Sequence, residues 1–365
     1  MTIGVFHLKT YHLTTSVDNQ VIKIFTKASL FILGGFFVLL SACDERSAGD
    51  SNPSLYQIRG EAQGTTYLIS YYAQDSTISK AEIDSVLKKI DNSLSNWVPS
   101  SLISSFNNSA DTSMSIQDSF GLLSVMFDQS MYFYEISDGA FDPSVMPLVS
   151  SWGFGLKNRE LMDSSKVDSI LDFVGFKKSA MFSYELRESN KLIAKKHPAF
   201  QLDFNAIAQG YSVDLIAEYL ESKKLKAYMV ELGGEMRLGE AKPDGSKWKV
   251  GIDKPMDPSK GREIQTIIEL ANQSIATSGS YRKFYEKDGM RYSHTIDPKT
   301  GFPVSHNLLS ASVIAKTAAE ADAMATILMV LGLEKGKEFI SGLDEVPQVY
   351  LIYQAKDGEL KVYEN

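Results

Sequence analysis

The chain has 365 residues, 44% hydrophobic and 22% charged, and this ordinary globular composition suffices for one large domain or two modest ones. Its net charge of −8 arises without a long run of either sign, which argues against a basic surface that tracks nucleic-acid phosphates. The only cysteine is Cys43, so an intramolecular disulfide is excluded.

The N-terminal segment has the pattern of a bacterial lipoprotein signal. Lysines precede an apolar run from Ala28 to Leu40, which is shorter than the roughly 20 residues that a membrane span needs. The small pair Ser41-Ala42 stands directly before Cys43, as in the cleavage box at which the thiol is acylated. This pattern predicts that residues 1–42 are a signal peptide and that Cys43 anchors the protein at the periplasmic face of the bacterial cell envelope. The alternative is an uncleaved anchor with an incidental cysteine.

A flexible tether and one folded domain are predicted to follow the signal. Residues 43–54 are small, polar and turn-prone, as in a tether between a membrane and a folded body. No comparable linker and no internal repeat occur after them. Residues 55–365 are therefore predicted to fold as one unit.

Strand and helix patterns alternate irregularly along this domain. Gly233-Gly234 and Asp288-Gly289 are strong hairpin signals. The predicted elements are, in chain order, a strand at 67–72, helical spacing at 83–90 and 122–127, a helix after Asp203, paired strands at 228–232 and 235–238, paired strands at 281–286 and 290–296, and a helix at 318–331 that ends before Gly332. Hairpins with helices between them indicate an α+β fold with a mixed or antiparallel sheet. No G-x-G-x-x-G follows a strand, so a Rossmann-type dinucleotide site is not supported.

Two aromatic residues stand in predicted loops. Trp97 lies between turn-forming residues, and Phe141 lies in the segment Asp138-Gly139-Ala140-Phe141-Asp142-Pro143. An aromatic ring on a loop can stack on the planar ring of a ligand. Either ring could instead anchor the core.

Asp203 is predicted at or near the N-cap of the middle helix. Free carbonyls and amides of the loop around it could meet a metal ion or a ribose. Capping alone would also explain this residue.

His294 precedes the tight-turn sequence Asp297-Pro298-Lys299-Thr300-Gly301. An imidazole at the end of a strand could act as a general acid or base near neutral pH. His294 and Ile296 are predicted to share one face of that strand, two residues apart. A structural role for His294 is the alternative.

The last helix opens on a capping box formed by Thr317 and Glu320. Asp322 and Thr326 are four residues apart on this alanine-rich helix, so their oxygens project from one face. A carboxylate and a hydroxyl among small residues suit a hard cation such as Mg²⁺. Alternatively, Asp322 interacts with the helix dipole and Thr326 bonds back to a carbonyl.

The order and wording of eight motifs together resemble the ApbE-like FAD:protein FMN transferases, whose fold is related to the T-fold. The motifs are Gly64-Thr65-Thr66-Tyr67, Ser100-x-x-x-Ser104-x-Phe106-Asn107, Asp138-Gly139-Ala140-Phe141-Asp142-Pro143, Ala206-Ile207-Ala208-Gln209-Gly210-Tyr211, Leu232-Gly233-Gly234, Ala276-Thr277-Ser278-Gly279, His294-x-Ile296-Asp297-Pro298-x-Thr300-Gly301, and Ala321-Asp322-Ala323 with Thr326. The resemblance covers nearly all of residues 55–335, and many members of this family are lipoproteins.

The resemblance implies a Mg²⁺-dependent phosphotransferase. It would cleave the FAD pyrophosphate and pass FMN to a Ser or Thr hydroxyl of an acceptor protein, such as a subunit of a membrane redox complex, while AMP leaves. Carried over position by position, Mg²⁺ would be held by the Ala206 carbonyl, the Asp322 carboxylate and the Thr326 hydroxyl. Asp322 is accordingly predicted to be catalytic, and His294 is predicted to be catalytic from its own neighbourhood beside Ile296. FAD would contact Gln63, Trp97, Ala140, Phe141, Asp142, Asp203, Gln209 and Ile296.

Three positions depart from the family pattern. Gln63 stands where Met is frequent, Gln209 where Lys or Glu is frequent, and Ala325 where some relatives carry a second carboxylate. Two other functions remain open from the sequence. One is an FAD pyrophosphatase that gives FMN and AMP, and the other is a non-catalytic lipoprotein that binds flavin.

Overall fold

The computed structural model describes residues 52–111, 118, 120–155, 160–176, 182–187, 190–256, 261, 263–280, 284–287 and 290–365. The predicted signal peptide and Cys43 lie outside these residues, as does most of the tether. The described residues belong to one compact unit, Ser51–Asn365. None of the described helices is both long and apolar enough to cross a membrane.

Seven α-helices occur in the described part of the chain. They are α1 (Lys80–Leu94), α2 (Leu102–Asn108), α3 (Leu122–Ile136), α4 (Met146–Ser151), α5 (Ser164–Leu171), α6 (Asn205–Ser222) and α7 (Ala318–Ser341). A short 3₁₀ turn at Pro143–Val145 leads into α4.

The central sheet contains eight strands in the order β1-β2-β5-β6-β9-β12-β13-β14, and every neighbouring pair is antiparallel. The remaining strands pair as three two-stranded ribbons, β3-β4, β7-β8 and β10-β11. The strands are β1 (Ser54–Ala62), β2 (Thr65–Ala73), β3 (Phe182–Arg187), β4 (Asn190–Lys195), β5 (Tyr228–Leu232), β6 (Glu235–Leu238), β7 (Trp248–Asp253), β8 (Ile264–Leu270), β9 (Gln273–Gly279), β10 (Phe284–Lys287), β11 (Met290–Ser293), β12 (Leu308–Ala315), β13 (Gln348–Gln354) and β14 (Leu360–Glu364).

The two faces of the central sheet bury different partners, as the two-residue side-chain period of a strand requires. On β5, Tyr228, Val230 and Leu232 pack against α1 and α6, whereas Met229 joins a cluster on the other face. That second cluster is covered by the β7-β8 ribbon through residues such as Trp248. Helices lie on one face and a β-ribbon on the other, which confirms the predicted α+β fold.

Both predicted hairpins form, one of them with shorter strands than expected. Gly233 and Gly234 connect β5 to β6 with φ angles of 66° and 114°. β10 and β11 pair so that Lys287 faces Met290, while residues 281–283 and 288–289 lie outside the described residues. β11 ends at Ser293, so the prediction that this strand reaches Ile296 is wrong.

Helix α7 begins as predicted, with Thr317 Oγ1 accepting from the Glu320 N–H at 3.2 Å. Its regular geometry breaks at Gly332 (φ 75°, ψ −177°), where the sequence predicts the helix to end. A second helical segment then continues to Ser341. His306 Nε2 lies 2.7 Å from the Met329 carbonyl oxygen beside this break, so a side chain bonds to a carbonyl of the last turn before it.

Candidate active site

Helices α6 and α7 meet at Gly210. A Cβ atom there would lie 2.3 Å from the Ala318 carbonyl oxygen, so only glycine permits this approach. The Gly210 N–H donates to Asp322 Oδ2 at 3.1 Å, and one turn later on α6 Asp214 accepts from the Ala318 N–H at 2.9 Å. Because the residue numbers rise along α6 and fall along α7, the two helices are antiparallel at this contact.

Asp322 lies in the centre of the contact and is only 5% exposed. Burial raises the pKa of its carboxyl to about 7, a rise that the Gly210 N–H opposes and the nearby Asp214 charge reinforces. A cation held against this carboxyl would favour its ionised form.

The same antiparallel register relates the other two predicted metal ligands. Gly210 lies opposite Asp322, so Ala206, four residues earlier on α6, corresponds to Thr326, four residues later on α7. Both Ala206 and Thr326 are half-buried. No group of three His, Cys, Asp or Glu side chains that could hold a metal occurs within the described ranges. The predicted ligand set differs from such a group, because it has one carboxylate and two uncharged oxygens.

Gln209 lies on α6 beside the β5-β6 hairpin. Its Nε2 donates to the Leu232 carbonyl at 3.1 Å and to Glu235 Oε2 at 2.8 Å. A Cβ atom at Gly233 would lie 1.9 Å from this nitrogen, and Gly233 has a positive φ. The predicted FAD contact Gln209 is thus held by a hairpin whose tip requires glycine.

Gln63 occupies the tip of the β1-β2 hairpin. With φ angles of 52° and 74°, Gln63 and Gly64 form a two-residue turn of type I′. Gln63 Nε2 donates to Ser212 Oγ at 2.9 Å, and that hydroxyl donates to the Ala208 carbonyl at 2.7 Å. The hairpin tip is therefore attached to α6, the helix that carries Gln209.

Asp203 connects three segments just before α6. Its Oδ1 accepts from the Asn205 N–H at 2.9 Å and from Asn96 Nδ2 at 3.3 Å. Its own N–H donates to the Pro143 carbonyl at 2.7 Å. Burial raises the pKa of this carboxyl. Phe204 occupies the N-cap position of α6, so Asp203 lies one residue before it, near the N-cap as predicted.

The two aromatic residues predicted in loops have different environments. Trp97 is 58% exposed, and its ring is therefore accessible to a ligand. Phe141 is 2% exposed and packs on Phe133 with ring centroids 5.8 Å apart. The Phe141 ring serves the core, as the alternative interpretation held, and the adjacent Ala140 is also buried.

The Asp142 carboxylate organises its own loop. Oδ1 accepts from the N–H and the hydroxyl of Ser144, at 2.7 and 2.6 Å. Oδ2 accepts from the Phe176 N–H at 3.3 Å. These bonds fix the segment that also supplies the Pro143 carbonyl to Asp203.

The predicted tight turn at 297–301 forms. The Asp297 carbonyl accepts from the Gly301 N–H at 2.8 Å, and its carboxylate accepts from the Lys299 N–H at 2.9 Å. Lys299 Nζ donates to Asp138 Oδ2 at 2.6 Å, and Trp152 Nε1 donates to the Gly301 carbonyl at 2.8 Å. The turn is thus joined to the segment that leads into Phe141 and Asp142.

His294 and Ile296 do not share a strand face, because β11 ends at Ser293. Ile296 is 6% exposed and forms an isolated bridge with Pro303. His294 is half-buried, and its ring and that of Phe154 meet in a T-shaped arrangement at a centroid distance of 6.5 Å. The expectation that strand geometry aligns His294 with Ile296 is wrong.

A cleft of 310 Å³ opens between the 138–142 segment and the tight turn. Its lining residues are Tyr134, Asp138, Gly139, Asp142, Leu171, Val174, Gly175, Pro298 and Lys299. A larger cleft of 560 Å³ opens beside Gln201, but none of the predicted FAD contacts lines it. Of the predicted FAD contacts, Asp142 lines the smaller cleft.

Two residues that hold this site together have no role predicted from the sequence: Asn107, which appears only within a motif, and Asp214. Asn107 Nδ2 donates to the Leu202 carbonyl at 2.8 Å, and its Oδ1 accepts from the Leu202 N–H at 2.7 Å. Asn107 also donates to Asn96 Oδ1 at 2.8 Å. Asp214 was missed as well, although its four-residue spacing from Gly210 on α6 is visible in the sequence.

Comparison with known proteins relates the whole arrangement to one family. The sequence profile of the ApbE family matches residues 63–350. A Vibrio cholerae protein called FAD:protein FMN transferase is 35% identical over 326 residues, which are 88% of this chain and 92% of that protein. An Escherichia coli K12 protein of the same name is 33% identical over 342 residues, covering 92% of this chain and 93% of that protein.

The fold agrees with these sequence matches. The structure of the flavin transferase ApbE from Vibrio cholerae superposes with a TM-score of 0.73 at 31% identity, covering 86% of this chain and 97% of that chain. These matches confirm the resemblance read from the eight motifs. The chain is therefore an enzyme of the ApbE family.

Proposed function

We propose that this enzyme transfers the FMN moiety of FAD to a Ser or Thr hydroxyl of an acceptor protein, in a Mg²⁺-dependent reaction that releases AMP. The observation that carries the proposal is the contact between α6 and α7, where the Gly210 N–H holds the buried Asp322 carboxylate at 3.1 Å. The names of the Vibrio cholerae and Escherichia coli relatives support the same reaction.

The residues at this contact fit a magnesium ion by their chemistry. The Ala206 carbonyl, the Asp322 carboxylate and the Thr326 hydroxyl are all oxygen donors, which Mg²⁺ prefers. The raised pKa of Asp322, about 7, marks a buried carboxylate that a cation would stabilise in its charged form. When bound, Mg²⁺ would neutralise negative charge on the pyrophosphate.

The other site residues would bind and orient FAD. Trp97 offers an exposed ring for stacking on isoalloxazine, while Gln63 supplies an amide from the β1-β2 hairpin tip and Gln209 supplies one from α6. Asp142 lines the 310 Å³ cleft, and the Asp203 N–H holds the next residue, Pro143, by its carbonyl. Positioning of the two substrates should then supply much of the rate.

The covalent step balances with these parts. The acceptor hydroxyl oxygen forms a bond to the FMN phosphorus, and the bond from that phosphorus to the bridging oxygen breaks. AMP leaves with the bridging oxygen, and the hydroxyl proton passes to a base. We assign His294 as this base, since a neutral imidazole accepts a proton near neutral pH.

The proposal includes a location. Acylation at Cys43 would hold the enzyme on the periplasmic face of the bacterial envelope, where a subunit of a membrane redox complex is a fitting acceptor. The apolar run from Ala28 to Leu40 and the Ser41-Ala42 pair before the cysteine support this part of the proposal.

Mass spectrometry tests the proposal. The mature protein is incubated with FAD and Mg²⁺, with and without a redox-complex subunit from the same envelope. We expect the subunit to gain the mass of FMN less one water, and AMP to appear only when the subunit is present. Release of FMN and AMP at the same rate without the subunit would identify a pyrophosphatase instead. Stable FAD binding without any cleavage would identify a flavin-binding lipoprotein.

A further inference from the structure

Asp214 makes a second contact between α6 and α7, one turn from Gly210. Its side chain is buried, with Oδ1 accepting from the Ala318 N–H and Oδ2 from the Ala319 N–H, both at 2.9 Å. Ala318 and Ala319 are the first two residues of α7. Both carboxylate oxygens are thus committed to the start of the helix that carries Asp322.

Arg237 on β6 also donates to Asp214. Its Nη1 donates to Asp214 Oδ1 at 3.1 Å, and its Nη2 donates to Glu221 Oε1 at 3.2 Å. The Arg237 side chain is 18% exposed, whereas that of Glu221 is 44% exposed. The Arg237–Asp214 pair is therefore shielded from solvent and less screened than the outer contact to Glu221.

The contacts of Gly210 and Asp214 with α7 lie one turn apart, and together they fix the position of α7 along its axis and its rotation about that axis. A slip of one residue would rotate the helix by roughly 100° and shift it by about 1.5 Å along its axis. The rotation would turn Asp322 away from Gly210, and the axial shift would move Asp322 along α7 relative to Ala206. The Asp214 bonds prevent such a slip, because each oxygen accepts from a different N–H group of α7.

We propose that Asp214, held by Arg237, is a positioning residue that sets the magnesium affinity of Asp322 through the first turn of α7. This inference rests on the proposed function, in which Asp322 binds Mg²⁺. It is distinct from a stabilising role at a helix terminus, which would lower stability without changing the metal affinity of the folded protein.

The test compares two variants of the full chain purified in detergent, each of which weakens the hydrogen bonds at the start of one helix. Asp214→Asn weakens the bonds to α7, and Ser79→Ala removes the N-cap of α1, where Ser79 Oγ accepts from the Glu82 N–H at 3.3 Å. Mg²⁺ is titrated calorimetrically into each protein, alone and with AMP. Hydrogen exchange of residues 318–322 and thermal unfolding are measured on the same samples.

We expect Asp214→Asn to raise the Mg²⁺ dissociation constant roughly 10- to 100-fold, the usual cost of losing an outer-shell partner, and to speed exchange at residues 318–322. Ser79→Ala should lower the melting temperature and leave the Mg²⁺ dissociation constant unchanged. Arg237→Gln, which keeps the Asp214 carboxylate, should weaken Mg²⁺ binding in the same direction, and it takes the place of Asp214→Asn if that variant does not fold.

An unchanged Mg²⁺ dissociation constant in the folded Asp214→Asn and Arg237→Gln proteins would overturn the inference. Failure of the proposed function has a different signature. If the wild-type protein binds Mg²⁺ and transfers no FMN, the reaction is wrong while the ratio of dissociation constants still decides the role of Asp214. If it binds no Mg²⁺ with or without AMP, both the metal assignment and the role of Asp214 are overturned.

Discussion

Gly210 and Asp322 are joined by a 3.1 Å hydrogen bond at a point where the backbones of α6 and α7 almost touch. The bond relates two residues 112 positions apart and places a carboxylate that is 5% exposed at the second turn of each helix. The close approach and the buried charge occur together, so disturbing either should affect the proposed metal site.

Replacing Asp322 by Ala should abolish Mg²⁺-dependent FMN transfer, with a loss of at least roughly 10²-fold, because the only full charge in the proposed ligand set disappears. Thr326→Ala should lower the rate less, since water can replace a hydroxyl ligand. Transfer rates measured against Mg²⁺ concentration, with circular dichroism to confirm folding, check both variants. Equal Mg²⁺ dependence in the wild type and Asp322→Ala would rule out this ligand.

Gly210→Ala should separate α6 from α7, because the added methyl would lie 2.3 Å from the Ala318 carbonyl oxygen. We expect a loss of about 1–3 kcal/mol in the free energy of unfolding, as for other overpacked sites. Gly251→Ala is the matched control, since its Cβ would lie 3.4 Å from a flexible Ile264 side chain. Denaturant unfolding measures the free energy of unfolding of both variants. Equal values for Gly210→Ala and Gly251→Ala would show that the α6–α7 contact has room for a methyl group.

What the sequence reveals about this site depends on how far apart the interacting residues are along the chain. The Thr317 cap and the Gly233-Gly234 turn are local patterns, and both form as predicted. The bond from the Ala318 N–H to Asp214 joins residues 104 positions apart, so it cannot be predicted from periodicity or turn chemistry, which are local patterns. The predicted end of β11 is wrong because Ile296 keeps the two-residue spacing of Met290 and Tyr292, although the strand ends at Ser293.

Helix α1 offers a pH-dependent test of stability. Glu82 accepts from the Ser79 N–H at 2.8 Å and from the Tyr219 hydroxyl at 2.7 Å, and these bonds lower the pKa of its carboxyl to about 2. Because the folded pKa lies below 4.5, the ordinary value for a glutamate, this stabilisation is complete above pH 4.5 and is lost as the pH falls towards 2.

Glu82→Gln should therefore melt at a lower temperature than the wild type at pH 7. The difference should shrink between pH 4.5 and about 2, as the wild-type carboxyl becomes protonated. Thermal unfolding of both proteins between pH 7 and about 2 measures this difference in melting temperature. A difference that stays constant with pH would mean that the capping geometry, and not the charge, provides the stability.

Cys43→Ala should abolish lipid modification, because the thiol is the proposed acylation site. The variant should keep its signal peptide uncleaved or appear in the soluble fraction, and the mass of the wild-type N-terminus should include acyl chains. Detergent fractionation shows whether each protein is attached to membranes, and intact-mass measurement shows whether its N-terminus is acylated. Unaltered processing and membrane attachment in the variant would contradict the lipoprotein assignment.

His294→Ala separates a catalytic from a structural histidine. If His294 takes the proton from the acceptor hydroxyl, the variant should bind FAD nearly normally and transfer FMN roughly 10²- to 10⁴-fold more slowly, the usual range for a lost general base. A structural role would instead lower FAD affinity and thermal stability together, since the ring meets that of Phe154 at a centroid distance of 6.5 Å. His197→Ala is the control for loss of an imidazole, because that exposed ring stacks on Phe173 at 4.8 Å. FAD affinity, melting temperature and transfer rate are measured on one preparation of each protein, and near-normal transfer by His294→Ala would exclude His294 as the base.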